Sequence, residues 1–214
     1  MRVNVTGHPD TPTPRQLSLI AIGHLPAEAI APLLDHFERI EVLQLDIPPR
    51  DDVAKHRAEF NRTVDAAAND WIAIVRERET VDAALAKEIA EVVEAAKVRG
   101  FRVRTIPLYA GKPLALGDKA GELRLFHRRS YMRYANKGEW TQVTIQGTVV
   151  RLSNAFRAPT FASSDEHRAW LVKVGVPHST LRQLLLFAHH AVTTRAHDRN
   201  TLRYLWIEAG FDKG

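Results

Sequence analysis

Four alternating charges, Arg76-Glu77-Arg78-Glu79, follow directly on an apolar run from Trp71 to Val75. A carboxylate placed beside a hydroxyl can take its proton, and a guanidinium matches a phosphate bidentately. In an extended segment alternate residues share a face, so Glu77 and Glu79 are expected to point together, with Arg76 and Arg78 opposite. A hard divalent cation wants carboxylate oxygens, and two guanidiniums repel it, so no metal is expected at this place. The plain alternative is a solvated turn between a strand and a helix.

The elements around the tetrapeptide determine whether any of this chemistry is presented. A helix carrying Asn61, Val64 and Ala68 leads into the strand Trp71 to Val75, and a second amphipathic helix begins after Thr80. In open α/β sheets, ligands sit at the carboxyl ends of strands, which is where the four charges fall. A strand from Val42 to Leu45 ends at Asp46, and Asp51 follows the stiff turn Ile47-Pro48-Pro49-Arg50. Leu17 to Ile30 reads as a strand followed by a helix, and Gly100 to Gly111 and Leu123 to Arg129 read as further strands.

Several of these stations together resemble family 2 glycosyltransferases of the GT-A fold, in the bacterial branch that builds lipopolysaccharide cores and similar glycans. Those enzymes show an asparagine upstream of an Asp-Trp pair, an apolar strand, then Asp-Ala-Asp-Glu and a helix opening like Val-Ser-Pro-Glu-Leu. Asn61, Asp70, Trp71, Glu79, Val81 and Leu85 fall into that frame. Gly100-Phe101-Arg102-Val103 and Leu123-Arg124-Leu125-Phe126 are similar to two later strands of the family. The likeness spans about Leu17 to Trp170. It implies an abbreviated GT-A-like α/β domain, residues 17–174, with a central mostly parallel sheet and helices on both faces. A β-ribbon near 140–152 completes it. Residues 1–16 are then an extended leader and 175–214 a helical extension.

The departures fall on the residues that would do the chemistry. Arg76 and Arg78 stand where the family's cation-holding aspartates would be, Trp140 and Thr141 replace its His-Glu pair, and Ala158 replaces a later histidine. The resemblance assigns Asp46, Asp51 and Asn61 to the nucleotide, and Arg76 and Arg78 to its diphosphate. Glu77 and Glu79 are the nearby base candidates. Two readings stay open. One is a non-catalytic descendant that binds a nucleotide sugar, a glycan or a partner glycosyltransferase. The other is a metal-independent transferase in glycan or lipopolysaccharide biosynthesis.

The remaining motifs are weaker. The 214-residue chain carries 45% hydrophobic residues, a net charge of +5 and no cysteine, which removes disulfides and thiolate chemistry and fits a reducing cytosol. Met1 to Arg15 lacks the apolar core of a secretion signal, and no apolar run reaches membrane-spanning length. A cytoplasmic protein is expected, at most peripheral to the inner face of the membrane. Arg124, Arg128, Arg129, Arg133 and Lys137 interleave with Phe126, Tyr131 and Tyr134. Cations beside aromatics can serve a nucleic acid, an anionic head group or a sugar phosphate; no nucleic-acid signature accompanies them, and the plain alternative is buried aromatics beside solvated arginines. Ser163, Ser164, Asp165 and His167 form a hydrolytic set on paper but an ordinary helix opening by spacing. His189, His190 and His197 lack metal-site spacing. Helices at 180–194 and 200–209, each with an apolar stripe, are expected to cover the sheet or pair with each other; attachment to a membrane surface or to a second copy is the sharper alternative. No cofactor is expected.

Overall fold

A computed structural model describes residues 2–6, 15–47, 56–95, 97–115, 120–132, 143–173 and 198–208. The chain forms two compact units, one from Met1–Thr105 and Asp118–Phe156, the other from Ile106–Gly117 and Arg157–Gly214.

The first unit is built on a mixed sheet. Its strands are β1 (Arg2–Thr6), β2 (Gln16–Ile22), β3 (Arg39–Leu45), β4 (Trp71–Arg76), β7 (Glu122–His127) and the first parts of β5 (Gly100–Tyr109) and β10 (Val149–Phe161). They lie in the order β1-β3-β2-β4-β7-β5-β10. β2 is parallel to both β3 and β4, whereas β1 on β3, β7 on β4 and β5 on β7 are antiparallel.

Burial on both faces explains why β2 and β4 read as continuous apolar runs. Trp71, Ala73 and Val75 face a core shared with α2 (Ala83–Ala95), through Leu85, Ala86, Ile89 and Ala90. Ile72 and Ile74 face the opposite core, with Phe60 and Val64 of α1 (Arg57–Ala66). Helices therefore cover both faces of this α/β unit. The segment after β2, expected to be a helix, is two short 3-10 turns, Ala27–Ala29 and Ala31–Asp35, with Pro32 in the second. Pro32, at the second position of its turn, lacks an N–H that a first turn leaves unpaired in any case, and Ala29, Ile30 and Leu33 are buried in the core, with Leu34 packed against it.

Two carboxylates of this unit hold backbone and side-chain donors together. Glu41, 2% exposed, accepts from the Ser18 hydroxyl at 2.8 Å and the Ala68 amide at 2.7 Å, while the Asn69 amide donates to Ser18 at 3.2 Å. That network holds the turn between α1 and β4. Glu88 of α2 accepts from the backbone amides of Ser153 and Asn154 at 2.7 and 2.8 Å, occupying donors that an edge strand would otherwise present. A short ribbon pairs β8 (Tyr131–Met132) with β9 (Thr144–Ile145).

In the second unit, β5 turns into β6 (Lys112–Pro113) through Ala110 and Gly111, with φ of 48° and 73°. Two positive φ values in a two-residue turn match the twist of a hairpin. α3 (Ser164–Lys173) opens on Ser163, whose hydroxyl accepts from the Glu166 amide at 3.1 Å, as the Ser-Asp-Glu spacing predicts. α4 (Arg199–Glu208) is capped by Asp198, which accepts from the Thr201 amide at 2.7 Å. Burial would raise the Asp198 carboxyl, but hydrogen bonds from Thr201 and Asn200 outweigh it and hold the group low. The expected helix at 180–194 and the three histidines from 189 to 197 lie outside the described residues.

Candidate functional site

The carboxyl edge of the three parallel strands carries most of the residues singled out from sequence. Asp46 follows β3 and Arg76 ends β4, so both stand at this edge, but β2 runs between them; they are not on neighbouring strands. The three strand exits are tied together. The Gly23 amide donates to Leu45 O at 3.1 Å and the Glu77 amide to Ile22 O at 2.7 Å. Gly23 has φ +79°, and a Cβ there would sit 2.9 Å from the Glu77 Cβ, so only glycine fits between these ends.

Arg76 to Glu79 is a turn, not an extension of β4. The Glu79 amide donates back to Arg76 O at 3.1 Å, and Arg78 takes a left-handed φ of +67°. This corrects the expected pairing of faces. Glu77 and Arg78 are exposed, whereas Glu79 is folded inward and 3% exposed. The twofold alternation that would align the two acids requires extended backbone, and the left-handed residue between them ends it.

Glu79 is fully occupied. It accepts from both terminal nitrogens of Arg124 at 3.0 and 3.2 Å, from the Thr105 hydroxyl at 2.8 Å and from the Arg76 amide at 2.8 Å. Arg124 is 2% exposed, its guanidinium lying 5.7 Å from the centre of the Phe156 ring. This contradicts the expectation of a solvated strand arginine. Burial pulls the Arg124 guanidinium below its ordinary value, and Glu79 opposes that shift. Glu122 extends the network. It lies 3.0 Å from Arg124 Nε and forms a two-pronged pair with Arg76 at 2.8 and 3.2 Å. Two guanidiniums and two carboxylates thus neutralise each other at the end of β4. A buried charge needs such pairing to be tolerated at all.

Asp46 is exposed and accepts from Gln44 at 3.2 Å. Asn61 is not at this edge. It accepts a hydrogen bond from the Tyr131 hydroxyl, and Tyr131 follows the end of β7 that pairs with the start of β4. Asp51, Trp140 and Thr141 lie outside the described residues. Among the described residues no group of three or more His, Asp and Glu side chains is placed to hold a metal ion. The hydrolytic set does not assemble. Ser163 is a helix cap, and His167, 0% exposed, is stacked between Phe161 at 4.3 Å and Tyr204 at 5.0 Å.

The opposite, amino edge of β4 brings Arg129 of the interleaved basic run together with residues that spacing did not single out. Here Arg99, His127, Arg129, Ser130, Gln146 and Gly147 line a cleft of about 450 Å³. His127 is 9% exposed and packs edge-on against Trp71 at 5.4 Å. Burial holds its imidazole below the usual histidine range. Asp70 opposes that, while Arg99, Arg129 and Arg128 reinforce it. The sequence signal was present in Leu-Arg-Leu-Phe-His-Arg-Arg, a strand-length apolar run interrupted by charges that must either pair or leave the core.

No protein-family model matches this chain, and no curated protein sequence matches it significantly. Among the described residues no helix is long and apolar enough to cross a membrane.

Proposed function

We propose that this chain is a glycosyltransferase family 2-like protein of the GT-A type that keeps the scaffold and has lost the transfer chemistry, acting as a binding or partner protein in glycan assembly. The mixed sheet with helices on both faces supports the scaffold, as does the placing of Asp46 and Arg76 at one carboxyl edge. The observation that carries the loss of chemistry is the ion network. The position of one cation-holding aspartate is an arginine bound to Glu122, and the acid after the second is consumed by Arg124. An acid with four donors on it is a poor base, because taking a proton would break the bonds that hold it. An intact glycosyltransferase, or a second copy joined through the C-terminal helices, is the partner this reading implies. The setting this reading implies is cytoplasmic, at most peripheral to the inner face of the membrane.

Uridine diphosphate titrated into the protein with and without manganese tests this reading. The expected outcome is no saturable heat, no rise in melting temperature from ligand linkage, and no difference between wild type and the Arg76→Ala/Arg78→Ala variant. The alternative is a metal-independent transferase in which exposed Arg78 meets the diphosphate and Glu77 is the base. It requires metal-free binding that weakens with salt and disappears in the double variant, with transfer or slow hydrolysis of a nucleotide sugar. That result overturns the non-catalytic reading.

A further inference from the structure

We propose that the amino-edge cleft lined by Arg99, His127, Arg129, Ser130, Gln146 and Gly147 binds the phosphate group of a small phosphomonoester. This inference is independent of the carboxyl edge and of any descent from a transferase. The cleft has a volume of about 450 Å³, within the roughly 300–1,000 Å³ of small-molecule sites.

The stem of Arg99 is held in place by its neighbours. Gly147 has φ +119°, open to glycine alone, and a Cβ there would lie 3.3 Å from both Cβ and Cγ of Arg99. The β9–β10 turn is thus seated on the stem of Arg99. That turn is held in place by the Gln146 amide donating to Ser130 O at 2.7 Å, and the base of the cleft by the His127 amide donating to Arg99 O at 2.9 Å.

The charge here is not balanced. Arg128 donates to Ala67 O and lies 3.9 Å from Asp70; Arg129 lies 3.6 Å from the same carboxylate and is 78% exposed. No acid among the described residues pairs with Arg99. Two guanidiniums therefore share the Asp70 carboxylate, and the Arg99 guanidinium beside them has no acid among the described residues. Burial is the main cause of the lowered His127 imidazole; Arg99, Arg129 and Arg128 add to it, and Asp70 opposes it. A phosphate dianion supplies several acceptor oxygens, which suit two guanidinium forks with the Ser130 hydroxyl and the Gln146 amide beside them.

The test uses the full chain and follows the His127 ring protons by NMR during titration with inorganic phosphate, glycerol 3-phosphate and glycerol. Both phosphates are expected to bind saturably and to raise the pH at which His127 titrates, because the anion offsets the arginines; glycerol is expected to move nothing. Arg99→Gln/Arg129→Gln, checked for an unchanged circular-dichroism spectrum, is expected to weaken phosphate by about tenfold or more, as loss of charge-assisted bonds requires. Arg76→Ala/Arg78→Ala is expected to bind as wild type does, which separates this site from the carboxyl edge. Equal affinity in wild type and the Arg99/Arg129 variant, or a His127 titration unmoved by saturating phosphate, would overturn the proposal.

Discussion

The two ends of β4 use the same residue types to opposite effect. At the carboxyl end, Arg76 and Arg124 meet Glu79 and Glu122 in a closed network, and the Glu79–Arg124 pair is buried. At the amino end, Arg128 and Arg129 share Asp70, Arg99 pairs with no acid among the described residues, and Arg129 stays largely in water. The difference teaches that charged residues at a strand end say little until their partners are known. The arginines that look like a phosphate grip from sequence are partly spent on carboxylates, while those that look merely solvated surround a cleft. Position relative to the sheet's carboxyl edge, the usual guide to ligand sites in open α/β folds, does not separate the two ends.

Removing one partner from the closed network is expected to have the largest effect. Glu79→Ala leaves Arg124 buried without its acid, and urea denaturation should show a loss of about 3–5 kcal/mol. Glu79→Leu with Arg124→Met together should recover most of that, since an apolar pair of similar size carries no desolvation cost. A Glu79→Ala protein as stable as wild type would mean that the carboxyl end is not a closed structural network, and the contrast would fail.

The open end should reveal itself through pH. The folded state holds His127 below its ordinary pKa of 6.5, so on acidification through that value the unfolded chain takes up a proton that the folded chain refuses. Stability should therefore fall as pH drops below about 6.5. The decline from this group should cease once pH passes below its folded-state value. Equilibrium unfolding of His127→Phe should lose this acid slope while retaining the slopes of the carboxylates. An unchanged slope would place the acid sensitivity elsewhere.

The smallest effect is expected at Arg76. Its pair with Glu122 is partly solvated on both sides, at 42% and 35% side-chain exposure, so Arg76→Ala should cost roughly 0–1 kcal/mol by urea denaturation. A cost near that of Glu79→Ala would make Arg76 an equal member of the buried network and sharpen the division between the two ends.

Much of the scaffold was legible in the chain. The run Trp71 to Val75 is apolar at every position because β4 is covered on both faces, and such a run names a central strand without reference to anything distant. The helices at 57–66 and 83–95 follow their periodicity, although the first stops before Ala68. In 199–208 Leu205 is buried as expected, but Trp206 is 42% exposed and Ile207 is buried instead, and Ser163 opens α3 as its spacing indicates. The placing of Asp46 and Arg76 at one sheet edge also followed from reading both strands as parallel. The site was far less legible. Asn61 is bonded to Tyr131, and Glu79 to Arg124, each across many intervening residues. No local pattern encodes either pairing.

By itself, then, the sequence determined the central strands and the helices α1 and α2, the absence of thiol chemistry and the arginines in place of aspartates. Those features depend on composition, on periodicity and on residues a few positions apart. On its pattern alone Arg2–Thr6 belongs to an extended leader, whereas these residues form β1 against β3. Only the tertiary structure decided that Arg78 turns left-handed, that Glu79 faces inward and that β7 lies antiparallel beside β4, bringing Glu122 and Arg124 to its end. It also decided that Arg99 and Arg129 line one cleft. The physical reason is that an ion pair between strands depends on strand order and register. Both are outcomes of packing the whole sheet, whereas a strand's own burial pattern is written along a single segment.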